Sequence, residues 1–293
     1  MIILTIVRHG ESTDNLKALW AGSSDAPLSS HGMNQAKALG KSMEDYHIDA
    51  IFASNLLRAT WTAQQVHRQQ KTDPKPPLTL SPLLQEQHFG KAERQPWTGT
   101  EGGKGYYRQP GRTFKFPNGE SLSDVRDRAD EAIASFIEPI MRQARGKGRD
   151  EAPRVFVVAH GIFNAELLGA FLARRAPHEE PVHWKGGGMT NTGWTRIEVG
   201  YEDEDEPEET SKVAAIASPS SGPETNPSST EPGAPALRRT EKKPYLRVKI
   251  LCTNVSTHLD GLKRQGGGVG SAAYDASQKG IREFFGGGGT SST

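Results

Sequence analysis

Two short apolar runs in this chain end on the same dipeptide, IVRHG at residues 6–10 and VVAHG at 157–161. A near-continuous apolar run of that length suits a strand buried on both faces, and such strands belong to parallel sheets covered by helices. In an open parallel sheet, ligands bind beyond the carboxyl ends of the strands. If the two strands are neighbours, His9 and His160 face one crevice. Arg8 stands beside His9, so the crevice collects groups that repel one another when protonated unless a negative partner joins them.

The rest of the chain alternates in the same manner. Ser29 or Ser30 caps a helix bearing Met33, Ala36, Leu39 and Met43 at helical spacing. IDAIFAS (48–54) reads as a strand, Leu56 to Gln70 as a helix, and the Pro-rich DPKPPLTLSP closes that unit. Ser121 and Asp124 open a helix running to about Ala144, RVFVVA (154–159) is the third buried strand, and an apolar helix covers 162–174. Strands alternating with helices predict right-handed crossovers and a three-layer α/β/α sandwich with a mainly parallel central sheet. GWTRIEV (193–199) and YLRVKIL (245–251) are expected to pair as an antiparallel edge.

That pairing joins 1–200 and 244–285 in a single domain around an insertion. The hydrophobic fraction of 34% is low and Gly 32 with Pro 19 is high, and the insertion, residues 201–243, is where large apolar groups are scarcest. It holds almost no large apolar groups and is expected to be disordered, as is the flexible tail 286–293. An acidic block at 202–209 precedes a basic one at 238–249. Solvated linker ends are the simplest account, with room for a protein partner through 201–243.

A net charge of +1 argues against binding nucleic acid by bulk electrostatics. Cys252 is alone, which forbids an internal disulfide and suits a reducing compartment. No apolar stretch approaches the ~20 residues of a membrane span, and Met-Ile-Ile-Leu lacks the basic start of a secretory leader. The expectation is a soluble chain with no membrane contact, cytoplasmic, with the nucleus as the other compartment. No GxxxxGK[ST], CxxC or HExxH pattern occurs, so neither cofactor nor metal is expected.

A further strand leads into SNLLRAT, delivering Arg58 to the same edge. Two histidines and two arginines around one point suit a dianionic phosphoryl group, which guanidinium groups bind by charge-assisted hydrogen bonds. Arginine already serves as the phosphate contact. His9 therefore reads as the nucleophile, forming a phosphohistidine, while Arg8, Arg58 and His160 stabilise the transferring group.

Taken in order, RHGES with Asn15, PLSSHGMNQA, SNLLRATWTA, LLQEQHFG and AHG resemble the histidine phosphatase superfamily and its phosphoglycerate-mutase-like fold. GMTNTGWTRIEV and LCTNVSTHLDGL are similar to the TIGAR-type fructose-bisphosphatases within it. The resemblance implies that His9 is the phosphorylated nucleophile and that Arg8, Arg58 and His160 complete the phosphate pocket. Glu86 matches the proton donor and Asn15 a side-chain donor to phosphate. Gly161 offers a backbone N–H at a helix start, and Gly22 with Ser23 matches a close approach to substrate. Mutases of the family usually carry Thr before that glycine, whereas this chain has Ala21.

The implied activity is metal-independent hydrolysis of a small phosphorylated metabolite, with fructose 2,6-bisphosphate or another sugar phosphate as substrate. The alternatives are a phosphoglycerate mutase and a non-catalytic scaffold built on a phosphatase domain. TGTEGGKGYY, after the Glu motif, is short, Gly-rich and free of paired arginines, which favours hydrolysis. Among the remaining groups, Glu11, Glu93 and Glu101 read as solvated carboxylates. His88, Trp20 and Trp97 are candidate pocket walls, and Lys91, Arg94, Lys104, Arg108, Arg112 and Lys115 form a basic lobe expected over the crevice.

Overall fold

A computed structural model of the protein describes residues 1–17, 19–96, 106–178, 182, 188–202 and 244–264. The expectations for 203–243 and for the tail, and those for Trp97, Glu101 and Lys104, lie outside the described residues. The elements are β1 (Ile2–Arg8), α1 (Ser30–Ser42), β2 (Ala50–Ser54), α2 (Leu57–Gln69), β3 (Leu78–Ser81), α3 (Leu122–Ala132), α4 (Glu138–Gln143), β4 (Arg154–Ala159), α5 (Gly161–Ala173), β5 (Trp194–Tyr201) and β6 (Leu246–Val255).

The strands form one sheet in the order β3-β2-β4-β1-β5-β6. The first four are mutually parallel, while β5 runs antiparallel to both β1 and β6. Alternate side chains of the central strands feed two cores, as the two-residue period of a strand requires. Leu4, Ile6, Val155 and Val157 pack with Val125, Ile133, Phe163 and Phe171 of the α3–α5 layer. Val7, Phe156 and Val158 pack with Leu39, Ala63 and Val66 of the α1–α2 layer. Full burial of one such side chain stabilises the fold by about 1.5–3 kcal/mol. The three-layer α/β/α sandwich and its antiparallel edge are as expected.

Local signals explain the helix starts. Ser29 is the cap of α1, its hydroxyl accepting the Gly32 N–H at 3.0 Å. Ser121 and Asp124 form a reciprocal capping box at α3. Two expectations need correction. DPKPPLTLSP does more than close a unit, because its LTLS becomes edge strand β3, paired with β2. The helix expected over 121–144 spans that stretch but is not α-helical throughout. Glu138 N–H reaches back five residues to Ile133 O in a π turn, and Pro139 follows in the first turn of α4. Pro139 brings no N–H and its ring crowds the carbonyl four residues back, so the wider turn accommodates it.

Strand register decides where the site lies. Val7 pairs with Val158 and Arg8 with Ala159, and the ladder continues with His9 N–H donating to Ala159 O at 3.0 Å. His9 and His160 therefore leave adjacent parallel strands at the same level.

Candidate active site

The two imidazoles meet there, with ring centroids 5.0 Å apart and planes inclined by 57°. His9 is almost wholly buried, and its Nδ1–H donates to Gly10 O at 2.6 Å. That contact fixes the tautomer and leaves Nε2 with a free lone pair. Gly10 N–H donates in turn to Thr62 Oγ1 at 3.1 Å, and the Thr62 hydroxyl to Arg58 O at 2.7 Å. Burial, then the Arg58 and Arg8 charges, push His9 well below its ordinary pKa. His160 is lowered likewise, by burial first and then by Arg58, His9, Arg8 and Arg128. Both rings are thus neutral near pH 7 and available as lone-pair donors.

A cavity of about 300 Å³ opens over His9, walled by Arg8, Asn15, Trp20, Gly22, Arg58 and Glu86 among others. Arg58 comes from the first turn of α2 and is 1% exposed. Its Nη1 and Nη2 donate to Ser24 O at 2.7 Å and Gly22 O at 2.6 Å, so it holds the 22–24 loop as well as facing the cavity. Arg8 Nη1 donates to Met189 O at 2.5 Å. Arg8 Nε, Arg58 Nε and both ring nitrogens of His160 are buried with no partner among the described residues. A buried donor without a partner costs about 1–3 kcal/mol; Arg8 and Arg58 line the cavity with His9, and His160 lies against the His9 ring. The two guanidinium Nε–H groups and the single N–H of a neutral His160 fit an oxyanion that accepts from them.

Glu86 closes the far side. Its Oε2 accepts from Ile162 N–H at 3.1 Å, and its Oε1 accepts from Phe163 and Gln87 N–H at 3.0 Å each. Ile162 and Phe163 belong to the first turn of α5, where the peptide dipoles favour a negative group. Gly161, which starts that helix, lies close enough that an added Cβ would stand 3.7 Å from Arg8 Nε and 3.8 Å from Glu86 Oε2. Asn15 lines the cavity with its oxygen occupied by Ser12 N–H and hydroxyl, both at 3.0 Å. Its Nδ2 is the end left to donate to a ligand. Gly22 has φ +48°, and a Cβ there would meet Glu93 Oε1 at 2.3 Å, so this turn admits no side chain.

His9, Arg8, Arg58, Glu86, Asn15, Gly22 and Gly161 come together, with His160 fully buried behind His9. Ser23 does not line the cavity: its amide and hydroxyl both donate to Glu93 Oε1, at 2.7 and 2.8 Å. The expectation for Glu93 is corrected at the same contact. It is no solvated carboxylate, since it also accepts from Phe89 N–H at 3.2 Å and faces His88 Nδ1 at 2.9 Å. Glu11 is likewise engaged, by the Ser29 hydroxyl at 2.7 Å and by Arg264. His88 therefore serves the loop rather than the cavity wall. Trp20 is a wall, packed against Phe89 and Phe116.

Arg128 is a residue that sequence reading missed. From α3 it donates to Leu83 O, Gln85 O and Glu86 O at 3.0, 2.6 and 3.2 Å, and it forks onto Glu120 at 3.0 and 2.9 Å. It fixes the backbone that presents Glu86. Its only sequence signal was an arginine on an otherwise amphipathic helix.

A second compartment of about 580 Å³ shares Arg8, Glu86 and Ile162 with the first. Arg108, Arg112 and Arg126 line it, together with Glu166 of α5. Glu166 accepts two bonds from Arg112, at 3.1 and 2.6 Å, and pairs with Arg126 at 2.9 Å. Arg108 makes no ion pair with any described residue. Of the expected basic lobe, Arg108 and Arg112 reach this space, whereas Lys115 lies 3.8 Å from Asp124 instead. Among the described residues no helix is long and apolar enough to cross a membrane.

A family model described as the histidine phosphatase superfamily (branch 1) matches residues 4–206. Fructose-2,6-bisphosphatase TIGAR B of Danio rerio is 34% identical over 151 residues, which is 51% of this chain and 58% of that protein. A probable phosphatase of Schizosaccharomyces pombe is 33% identical over 170 residues, 58% of this chain and 56% of its own length. The match thus spans little more than half of each of these relatives. A 2,3-bisphosphoglycerate-dependent phosphoglycerate mutase of Chlamydia trachomatis is 28% identical over 65% of this chain and 97% of its own. Among solved structures, a mycobacterial glucosyl-3-phosphoglycerate phosphatase aligns with a TM-score of 0.52 and 25% identity, covering 67% of this chain and 89% of that one. Bacillus stearothermophilus YhfR aligns with a TM-score of 0.51 and 27% identity, covering 68% and 91%.

Proposed function

The chain belongs to the histidine phosphatase superfamily, and from that membership together with the geometry around His9 we propose that it is a phosphomonoesterase acting through a phosphohistidine. One observation carries the reading: buried donors of Arg8, Arg58 and His160, unpartnered among the described residues, lie beside an imidazole whose Nδ1–H is already committed to Gly10 O. His9 Nε2 attacks phosphorus, and the arginines and His160 take up charge on the equatorial oxygens. Glu86 passes a proton to the leaving alkoxide. It then takes one from the water that splits the phosphohistidine.

The second compartment supports a substrate whose alcohol part carries another anionic group, and Arg108 is a cation there with no ion pair among the described residues. With the TIGAR-type relative, this favours a sugar bisphosphate such as fructose 2,6-bisphosphate. A phosphoglycerate mutase is the second reading, favoured by the chlamydial match over nearly the whole length of that enzyme. A panel of phosphorylated metabolites, assayed with chelator present, separates the two. Phosphate release from a bisphosphate, abolished by His9→Ala, is the expected result. Transfer to a phosphoglycerate acceptor supports the mutase, and release by the His9→Ala protein overturns the nucleophile.

A further inference from the structure

The backbone of Arg8 and His9 is gripped by residues 189–193. Arg8 N–H donates to Gly193 O at 3.1 Å and Arg8 Nη1 to Met189 O at 2.5 Å. Thr192 N–H is shared between Arg8 O and His9 O at 3.0 and 3.2 Å, and Asn191 Nδ2 donates to His9 O at 3.1 Å. This grip has a strained shape, because Thr192 is β-branched, fully buried and at φ +59°. A residue of that kind in the left-handed region costs of order 1–3 kcal/mol and persists only where its surroundings hold it.

What holds it comes from the end of β6 and the turn after it. Asn254 Oδ1 accepts Thr190 N–H at 2.8 Å, and Asn254 Nδ2 donates to Thr190 Oγ1 at 3.2 Å. A Cβ on Gly193 would stand 2.4 Å from Asn254 Oδ1, so the amide is seated against bare backbone. Asn254 is itself at φ +45°, a conformation that asparagine tolerates better than most residues. His258 Nε2 lies 2.9 Å from Thr192 Oγ1, whose own proton goes to Asn191 O at 2.7 Å. His258 is therefore the donor. Burial pushes it down to about 4, which keeps a single ring N–H on it at neutral pH.

We propose that Asn254 and His258 are positioning residues for the phosphoryl transfer, locking residues 189–193 in the strained shape that aims Arg8 and His9 at the substrate. They touch no substrate and act only through Thr190 and Thr192. Both come from the far side of residues 203–243, so the chain beyond that stretch completes the nucleophile's mounting.

The proposal rests on His9 as nucleophile, and the test keeps the two apart. Asn254→Gly retains the backbone conformation and removes the clamp, whereas Asn254→Asp keeps the acceptor for Thr190 N–H. Single-turnover phosphorylation of His9 by an aryl phosphate is followed in both. Misplacement of a reacting group by about 1 Å costs on the order of 100-fold, so a fall of that order in Asn254→Gly, with KM little changed and largely restored in Asn254→Asp, is expected. Parental phosphorylation in folded Asn254→Gly overturns the proposal. If Asn254→Gly does not fold, His258→Ala and His258→Gln ask the same question, since Gln can donate where His258 Nε2 does. Slowing in Ala with recovery in Gln supports the clamp, and equal rates in both overturn it. His9→Ala run in parallel isolates the other failure: activity there removes the nucleophile itself.

Discussion

The two compartments that meet at Arg8, Glu86 and Ile162 handle positive charge in opposite ways. Around His9 the arginines and the neutral His160 hold donors in reserve, with Arg8 Nε, Arg58 Nε and the His160 ring unpartnered among the described residues. Next door, Arg112 and Arg126 are already engaged by Glu166, and besides the shared Arg8 it is Arg108 that lacks an ion pair with a described residue. The first compartment is pre-organised for an anion at a cost in stability, as sites of preformed electrostatic stabilisation are. The second sets Arg112 and Arg126 against the single carboxylate of Glu166 and keeps Arg108 as an adjustable cation.

The largest effect is expected at the shared wall. Glu86→Gln keeps the side chain's size but cannot move a proton, and its NH2 replaces one oxygen that accepts a backbone N–H, so turnover falls about 10²–10⁴-fold for a general acid–base residue. Substrate affinity, from the KM or from binding to the inactive protein, should remain. A Glu86→Gln protein as fast as the parent would assign the proton transfer to another group.

A smaller and selective effect is expected at Arg108. A hydrogen bond to a charged group contributes about 1.5–3 kcal/mol. Arg108→Ala should therefore raise KM for a bisphosphate about 10–100-fold while leaving hydrolysis of an aryl phosphate unchanged. Equal losses on both substrates would merge the two compartments into one.

The smallest effect is on stability. His9 and His160 have folded pKa values well below their ordinary ones, so the unfolded chain takes up protons first as pH falls through about 6.5. Their contribution is full above that pH and is lost progressively below it, by up to about 1.4 kcal/mol per pH unit for each group. Urea unfolding at pH 7.5 and 5.5 should show the loss, and His160→Gln should reduce its slope. An identical slope would mean that the acid sensitivity arises elsewhere.

Much of the first compartment was legible because a parallel sheet delivers all its strand ends to one edge: IVRHG and VVAHG needed only to be neighbours, and the β1–β4 register makes them so. What escaped were residues whose partners lie on distant loops. Glu93 looked solvated because its donors are the backbone N–H groups of Ser23 and Phe89 and the Ser23 hydroxyl, which no spacing rule connects to it. Arg128 was unreadable for the same reason, since its acceptors are carbonyls of a different segment. β3 was hidden by its brevity, four residues in a Pro-rich stretch, only the last of them buried. The π turn follows from Pro139, whose presence in the expected helix was the available warning.

The central claim is that the phosphoryl group passes through His9. Rapid alkaline quenching of the enzyme with a radiolabelled phosphomonoester, followed by peptide mapping, tests it most directly. The account predicts an acid-labile, alkali-stable label on the peptide containing His9, formed no more slowly than steady-state turnover. Turnover without any label on that peptide, or with the label on another residue, would contradict it.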